Sequence, residues 1–271
     1  FGEIYKKKWV GIVHNPPFTP DWFFGFNSLD KIIAKDEFKE SLESCEGLFT
    51  LSTDLAEYVE NETGVPTTAL IHPTEVPDKI FNFKKFLKNQ DKKIFLIGYW
   101  LRNMLSLFRL PLNSSSGYRK MRLLPYAGES PIRTINHFLI KQKEIYGKEI
   151  PAEHNDNTYD VNRLSNEDYD NLFVDNIMFL DLYAASANNG VIEAIARATP
   201  TLINKLPATL EYFGKDYPLF FDSLEEAAEK ALDFDLIEKA HCHLLNSEVR
   251  RKLDGNHFRK SLEESEIYQS L

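Results

Sequence analysis

Short, uninterrupted apolar runs closed by Gly, Pro or Asn recur along the chain, and a segment of helical spacing follows most of them. Lys8-Trp-Val-Gly-Ile-Val-His14 ends at Asn15-Pro16-Pro17, and residues 29–44 then repeat apolar side chains at Ile32, Ile33, Phe38 and Leu42. A continuous apolar run stopped by proline predicts a buried strand, and the later spacing predicts a helix. Gly47–Ser52 and Thr67–His72 predict two further strands. Between them a helix is expected from Thr53 to Asn61, capped by Ser52 or Thr53 and stopped at Gly64.

A polar connector over 74–91 leads to a second series. Lys93–Gly98, Met121–Tyr126, Val161–Leu164, Ile177–Leu182, Thr201–Asn204 and Tyr217–Phe221 predict strands. Ile135–Tyr146, 189–198, 207–213 and Leu224–Leu232 predict helices, as does a brief segment from Ser165 to Phe173 in which Asp168 completes a capping box. A long charged helical region closes the chain. Strands that alternate with helices build parallel sheets covered on both faces. The expectation is therefore an α/β protein of two Rossmann-like, doubly wound domains. Residues 1–85 form a partial first domain, and residues 92–271 form the second.

The formal net charge is −9, and no Lys/Arg run exceeds Lys6-Lys7-Lys8, which argues against a nucleic-acid partner. No apolar run approaches the roughly 20 residues that span a bilayer. The two cysteines, Cys45 and Cys242, offer neither a metal spacing nor a disulfide framework, so a reducing, cytoplasmic setting is expected. The chain begins at Phe1 rather than Met, and a fragment or domain of a longer protein is expected.

Ligands of open α/β sheets sit at the carboxyl ends of the strands. That rule selects the loops after His14, Ser52, Gly98, Leu182 and Asn204. In Ala-Ser-Ala-Asn-Asn-Gly, residues 185–190, Asn188 is a good helix cap, and Asn189 and Gly190 open the helix. Small side chains there let an anion reach the helix start, which favours negative charge. Glu193 lies about one turn further on. It can accept hydrogen bonds from a ribose diol, or it is simply a solvated helical charge. Gly98 admits a ligand close to the backbone, and Arg102 after it either neutralises a phosphate or is an ordinary surface arginine. Arg109 and Lys120 are weaker candidates for the same charge role. His14 is a candidate base or sugar contact, with a structural histidine as the alternative. Phe18, Trp22, Phe23 and Phe24 form either a platform for an acceptor or a packed lid.

No dinucleotide fingerprint, phosphate-binding P-loop, HExxH or GxSxG motif is present. Acidic pairs are candidate metal ligands, but they make no convincing Asp-x-Asp signature of metal-dependent sugar transferases. His241 and His243 flank Cys242 on a helical stretch, where neighbours point apart. No metal is expected.

The stretch from Asn166 to Leu232, with "EAIARATPTLIN" and "LPATLEYFG" inside it, resembles the donor-nucleotide half of GT-B glycosyltransferases of the group 1 type. "KKIFLIGYWLR" is similar to the first strand and loop of that half, "WVGIVHNPP" to an acceptor-domain strand ending in His, and "GLFTLSTDLAEYV" to an acceptor-domain serine before a helix. The resemblance implies transfer of a hexose or deoxyhexose from a nucleoside-diphosphate sugar to a glycan acceptor, with no metal or other cofactor. It implies that Glu193 holds the ribose, that Asn188, Asn189 and Gly190 face the diphosphate, that Arg102 offsets phosphate charge, and that His14 lies near the acceptor or the transferred sugar. One departure stands out. Many retaining members carry a second Glu eight positions before the first; here that place is Ala185, beside Ala184. A nucleotide-sugar epimerase of the same fold, and a non-catalytic glycan- or protein-binding module, are the alternatives.

Overall fold

The computed structural model describes residues 3–23, 25–124, 129–147 and 156–271. Two parallel sheets form. The first has the order β1-β2-β3, from β1 (Trp9–Val13), β2 (Cys45–Thr50) and β3 (Thr67–Ala69). The second has six strands in the order β6-β5-β4-β7-β8-β9. These are β4 (Lys92–Ile97), β5 (Tyr118–Leu123), β6 (Thr158–Val161), β7 (Ile177–Leu180), β8 (Thr201–Asn204) and β9 (Phe220–Phe221), all paired in parallel.

The burial of each strand follows from its place. β7 is buried at all four residues, and Ile94, Phe95, Leu96 and Ile97 of β4 are buried together. Strands covered on both faces need such runs. β1 behaves differently from its expected burial. It is the edge of its sheet, alternates in exposure, and leaves Val10 and Ile12 exposed.

Short-range capping places the helices. In the first unit, the expected long helix over 29–44 divides into α1 (Leu29–Ile33) and α2 (Asp36–Leu42). α3 (Thr53–Thr63) starts where the Ser52 hydroxyl accepts from the Leu55 amide, and it ends at Gly64 in the left-handed region. α4 (Phe83–Lys88) precedes β4, α5 (Ser106–Arg109) follows β4, and α6 (Glu129–Tyr146) follows β5. The Ser165 cap of α7 (Asn166–Val174) accepts from the Asp168 amide at 3.1 Å. α8 (Asn189–Ala196) follows β7, and α9 (Pro207–Phe213) follows β8. Then come α10 (Leu224–Leu232), α11 (Phe234–Asn246), α12 (Glu248–Arg251), α13 (Gly255–Glu263) and α14 (Glu266–Gln269). The strand at Val161–Leu164 lies earlier, at Thr158–Val161, and the last strand keeps only Phe220–Phe221. Tyr126 of the expected strand and Phe24 of the aromatic loop lie outside the described residues. Among the described residues, no helix is long and apolar enough to cross a membrane.

The two units are joined by more than the chain. Relative to the expected division between 85 and 92, segments cross in both directions. Phe81 and Phe86 of the connector belong to the core of the second sheet. The last helix, α14, returns to the first sheet, where Ile267 packs with Phe49 and Leu70. The aromatic loop after β1 also crosses. Phe23 is fully buried and stacks on Phe138 of α6, ring centres 3.8 Å apart. Polar ties add to this: Tyr212 of α9 donates to the Leu51 carbonyl at 2.7 Å, and Glu211 accepts from the Thr53 amide at 2.8 Å.

Gly47 is where α14 meets β2. A Cβ there would lie 2.5 Å from Cγ2 of Ile267, a contact that a stiff β-branched side chain cannot relieve by turning. G47A is expected to cost about 1–3 kcal/mol by overpacking. In an I267A background the same change should cost little, as read by urea denaturation. Equal cost in both backgrounds would contradict this packing.

Candidate functional site

β4 is the switch point of the second sheet. From it the chain winds outward to β5 and β6 on one side, and β7, β8 and β9 lie on the other. Crevices open at such points, at the carboxyl ends of the strands. A cleft of about 420 Å³ lies there. Ile97, Gly98, Tyr99, Trp100 and Arg102 line it from the β4 side, Asn189, Gly190 and Glu193 from α8, and Leu123 and Tyr169 complete the wall. Five sequence candidates, Gly98, Arg102, Asn189, Gly190 and Glu193, thus converge on one cavity. Asn188 touches the same group through Arg102.

Arg102 is the centre of the cluster. It is 7% exposed, so it is not a surface arginine. Its guanidinium donates to the Trp100 carbonyl at 3.0 Å and to Oδ1 of Asn188 at 2.7 Å. The same Asn188 oxygen accepts from the Gly190 amide at 3.0 Å, so one side chain both caps α8 and holds the arginine. Nε of Arg102 is buried with no hydrogen-bond partner. Neither of its hydrogen-bond acceptors carries a charge, and it makes no ion pair with a described carboxylate. Burial lowers its pKa to about 10, against the opposing influence of Tyr169 and Glu193, so it remains a cation.

The glycines fit this arginine. Gly98 has φ +74°, and a Cβ on it would meet the Arg102 guanidinium carbon at 3.1 Å. A Cβ on Gly190 would meet Nη2 at 3.3 Å. Leu101 also takes a positive φ, +54°, which bends the loop back. The bend is held from two directions. Asn103 donates its amide to the Asp181 carbonyl at 2.8 Å, and the Tyr183 amide donates to the Leu101 carbonyl at 3.0 Å. Gln142 of α6, fully buried, donates to the Arg102 carbonyl at 2.8 Å.

Glu193 is half-buried and faces the cleft rather than bulk solvent. Its Oε2 accepts from the Tyr169 hydroxyl. Burial first, and the neighbouring Glu193 carboxylate second, push the Tyr169 phenol far above its ordinary pKa, so it stays a neutral donor.

Other candidates fall elsewhere. His14 is exposed and does not line the cleft; its backbone carbonyl accepts from the Ser186 hydroxyl in the loop before α8. Neither Arg109 nor Lys120 lines the cleft. Lys120 is fully buried in β5, donates to the Leu110 carbonyl at 2.9 Å, and is lowered to about 8 by burial. In the aromatic loop, Phe23 is core, Phe18 is exposed, and Trp22 packs edge-on against Tyr183. Ala185 packs against the core of the second sheet. His241 and His243 bond to the separate carbonyls of Ala198 and Phe213. Among the described residues, no group of three or more His, Cys, Asp or Glu could hold a metal. Tyr169 and Gln142 were not among the candidates from sequence. Neither stands in a motif, and only the fold brings them to the loop.

No protein-family model and no curated protein matches the chain. Solved structures do. A UDP-forming α,α-trehalose-phosphate synthase from Burkholderia vietnamiensis superposes with TM-score 0.66 at 11% identity, covering 98% of this chain and 68% of that one. A second, from Burkholderia xenovorans in complex with glucose-6-phosphate, gives 0.64 at 13% identity over 95% of this chain and 67% of that one. OtsA, a trehalose-6-phosphate synthase, gives 0.62 at 16% over 93% and 65%. The chain spans about two thirds of the length of these structures. The likeness establishes the fold, two Rossmann-like units in the GT-B arrangement. The group 1 assignment rests on the sequence motifs alone.

A second, smaller cavity beside the site is lined by Asp181, Asn204 and the Lys205–Asp222 pair. Burial raises the Asp181 carboxyl to about 6, against hydrogen bonds from Ser106 and Asn103. A carboxyl whose folded pKa is raised stabilises the fold below its unfolded pKa and loses that contribution as pH climbs through about 6. The melting temperature of D181N relative to the parent should therefore increase between pH 4 and pH 7. A constant difference would contradict the buried carboxylate.

Proposed function

We propose that the chain is a glycosyltransferase that moves a hexosyl or deoxyhexosyl unit from a nucleoside-diphosphate donor to a carbohydrate acceptor, without a metal. The observation that carries this is Arg102, a buried cation with neutral hydrogen-bond partners that lines a cleft at a helix start. Burying a charge without a counter-ion is unfavourable, and an anion in the cleft relieves that cost. The diphosphate of the donor is that anion. Its α8 side meets the helix dipole and the small residues Asn189 and Gly190. Glu193 lies where the ribose hydroxyls follow.

In transfer, negative charge grows on the leaving diphosphate. Arg102, held before the reaction by Asn188, Trp100 and Gln142, stabilises that charge without reorganising. Neither Arg102 nor the helix start needs a metal for this. The UDP-forming neighbours and the glucose-6-phosphate complex among them favour a UDP-linked hexose and a sugar acceptor. His14, whose backbone is tied to the loop before α8, is assigned to the acceptor side. Cytoplasmic placement belongs to the same proposal and rests on the free thiols of Cys45 and Cys242.

Calorimetry with UDP, GDP, dTDP and CMP is expected to yield saturable binding of a diphosphate in the presence of EDTA. R102A should weaken that binding by about a hundredfold, the scale of a lost charge-assisted contact. Unchanged affinity in R102A would remove the arginine from the site. H14A should leave nucleotide affinity intact while lowering transfer, measured as sugar released to an acceptor. Equal turnover would take His14 out of the mechanism. One observation favours a second, non-catalytic reading: Ala185 stands where a second carboxylate is common in retaining members. Nucleotide binding with no transfer to any of a panel of sugars and sugar phosphates would support it.

A further inference from the structure

We propose that Tyr169 is the positioning residue of this site: it fixes the Glu193 carboxylate so that only one oxygen is presented to the ligand, which makes the pocket selective at the pentose. The inference rests on the functional reading above and names how that site recognises its ligand.

The geometry comes from two helices clamped side by side. Tyr169 and Asp170 are consecutive on α7, while Glu193 and Arg197 lie four residues apart, one at the inner face of α8 and one at its end. Arg197 pairs with Asp170 at 2.6 Å, and its guanidinium lies 4.8 Å from the ring centre of Phe173. Tyr169 packs on the same Phe173 ring at 5.3 Å. Phe173 is fully buried, so this stack has no room to drift. The ion pair sets the register of the helices, and the register brings the Tyr169 hydroxyl to Glu193 Oε2.

Among the described residues, Tyr169 is the one group that hydrogen-bonds this carboxylate, and Oε1 has no protein partner. A glutamate free at both oxygens rotates and grips a diol in several ways. Held by a phenol, it offers one acceptor in one place. The phenol is half-buried beside a carboxylate, and burial first, the carboxylate second, push its pKa far up, so it keeps its proton and donates at any working pH. Glu193 is also left without an ion pair to Arg102, which leaves the arginine to the phosphates.

The test is a double-variant cycle read by calorimetry with UDP and GDP, each against its 2′-deoxy and 3′-deoxy counterparts. Y169F is expected to weaken the tighter ribonucleotide by about tenfold, the scale of a hydrogen bond to a charged group. Added to E193A, the same change should have almost no effect, because Tyr169 acts through the carboxylate. The preference of the parent for a ribose over one of the deoxy sugars should shrink in Y169F. Inorganic pyrophosphate should bind parent and Y169F alike. Additive losses in the double variant, an undiminished ribose preference, or equal weakening toward pyrophosphate would overturn the proposal and make Tyr169 a packing residue. Failure of the parent to bind any nucleoside diphosphate would overturn the glycosyltransferase reading first, and this one with it.

Discussion

The structure is organised around a cation that the protein itself does not neutralise. Arg102 is buried, yet what it meets is a carbonyl, an amide oxygen and the backbone of two glycines. Much of the surrounding fold serves to keep it there. Gly98 and Leu101 take left-handed conformations to turn the loop inward, residues 101–103 lie antiparallel to 181–183, and Gln142 reaches from α6 to hold the Arg102 carbonyl. A chain that spends backbone strain and a buried charge at one point gains nothing in stability from doing so. Such violations concentrate where a ligand completes the arrangement.

The sheet explains why the charge sits where it does. A parallel sheet aims its carboxyl ends at one edge, and reversal of winding about β4 opens a gap there. Helix α8 starts at that gap, so the same topology that buries Arg102 supplies a second source of positive potential. The first unit meets the loops of this edge through Phe23, stacked on Phe138, and through the His14 carbonyl, which accepts from Ser186. Contacts between the units near this cleft suit the proposed transfer, which must exclude water.

Much of this was legible in the sequence, and for local reasons. Continuous apolar runs such as Ile94–Ile97 declare strands covered on both sides, and Ser52, Ser165, Asn188 and Gly64 declare helix ends within three or four residues. Strand ends and helix starts then locate Gly98, Arg102, Asn189, Gly190 and Glu193 together without coordinates. What stayed hidden depends on contacts between distant segments. Tyr169 and Glu193 are 24 residues apart, and Gln142 is 40 from the carbonyl it holds. Whether β1 is an edge or a central strand depends on a neighbour, not on its own apolar run. The return of α14 to the first sheet turns on one glycine, Gly47, making room for Ile267. No periodicity encodes that.

The central claim is that the Arg102 guanidinium, which lines the cleft with neutral partners, awaits an anion. Selective ¹⁵N labelling of arginine, with the Arg102 resonance assigned by comparison with R102K, reads this group directly. The account predicts that adding UDP or another nucleoside diphosphate moves the Arg102 Nε–H signal downfield and slows its exchange with solvent. A signal that stays in place while a nucleoside diphosphate saturates the protein would contradict it.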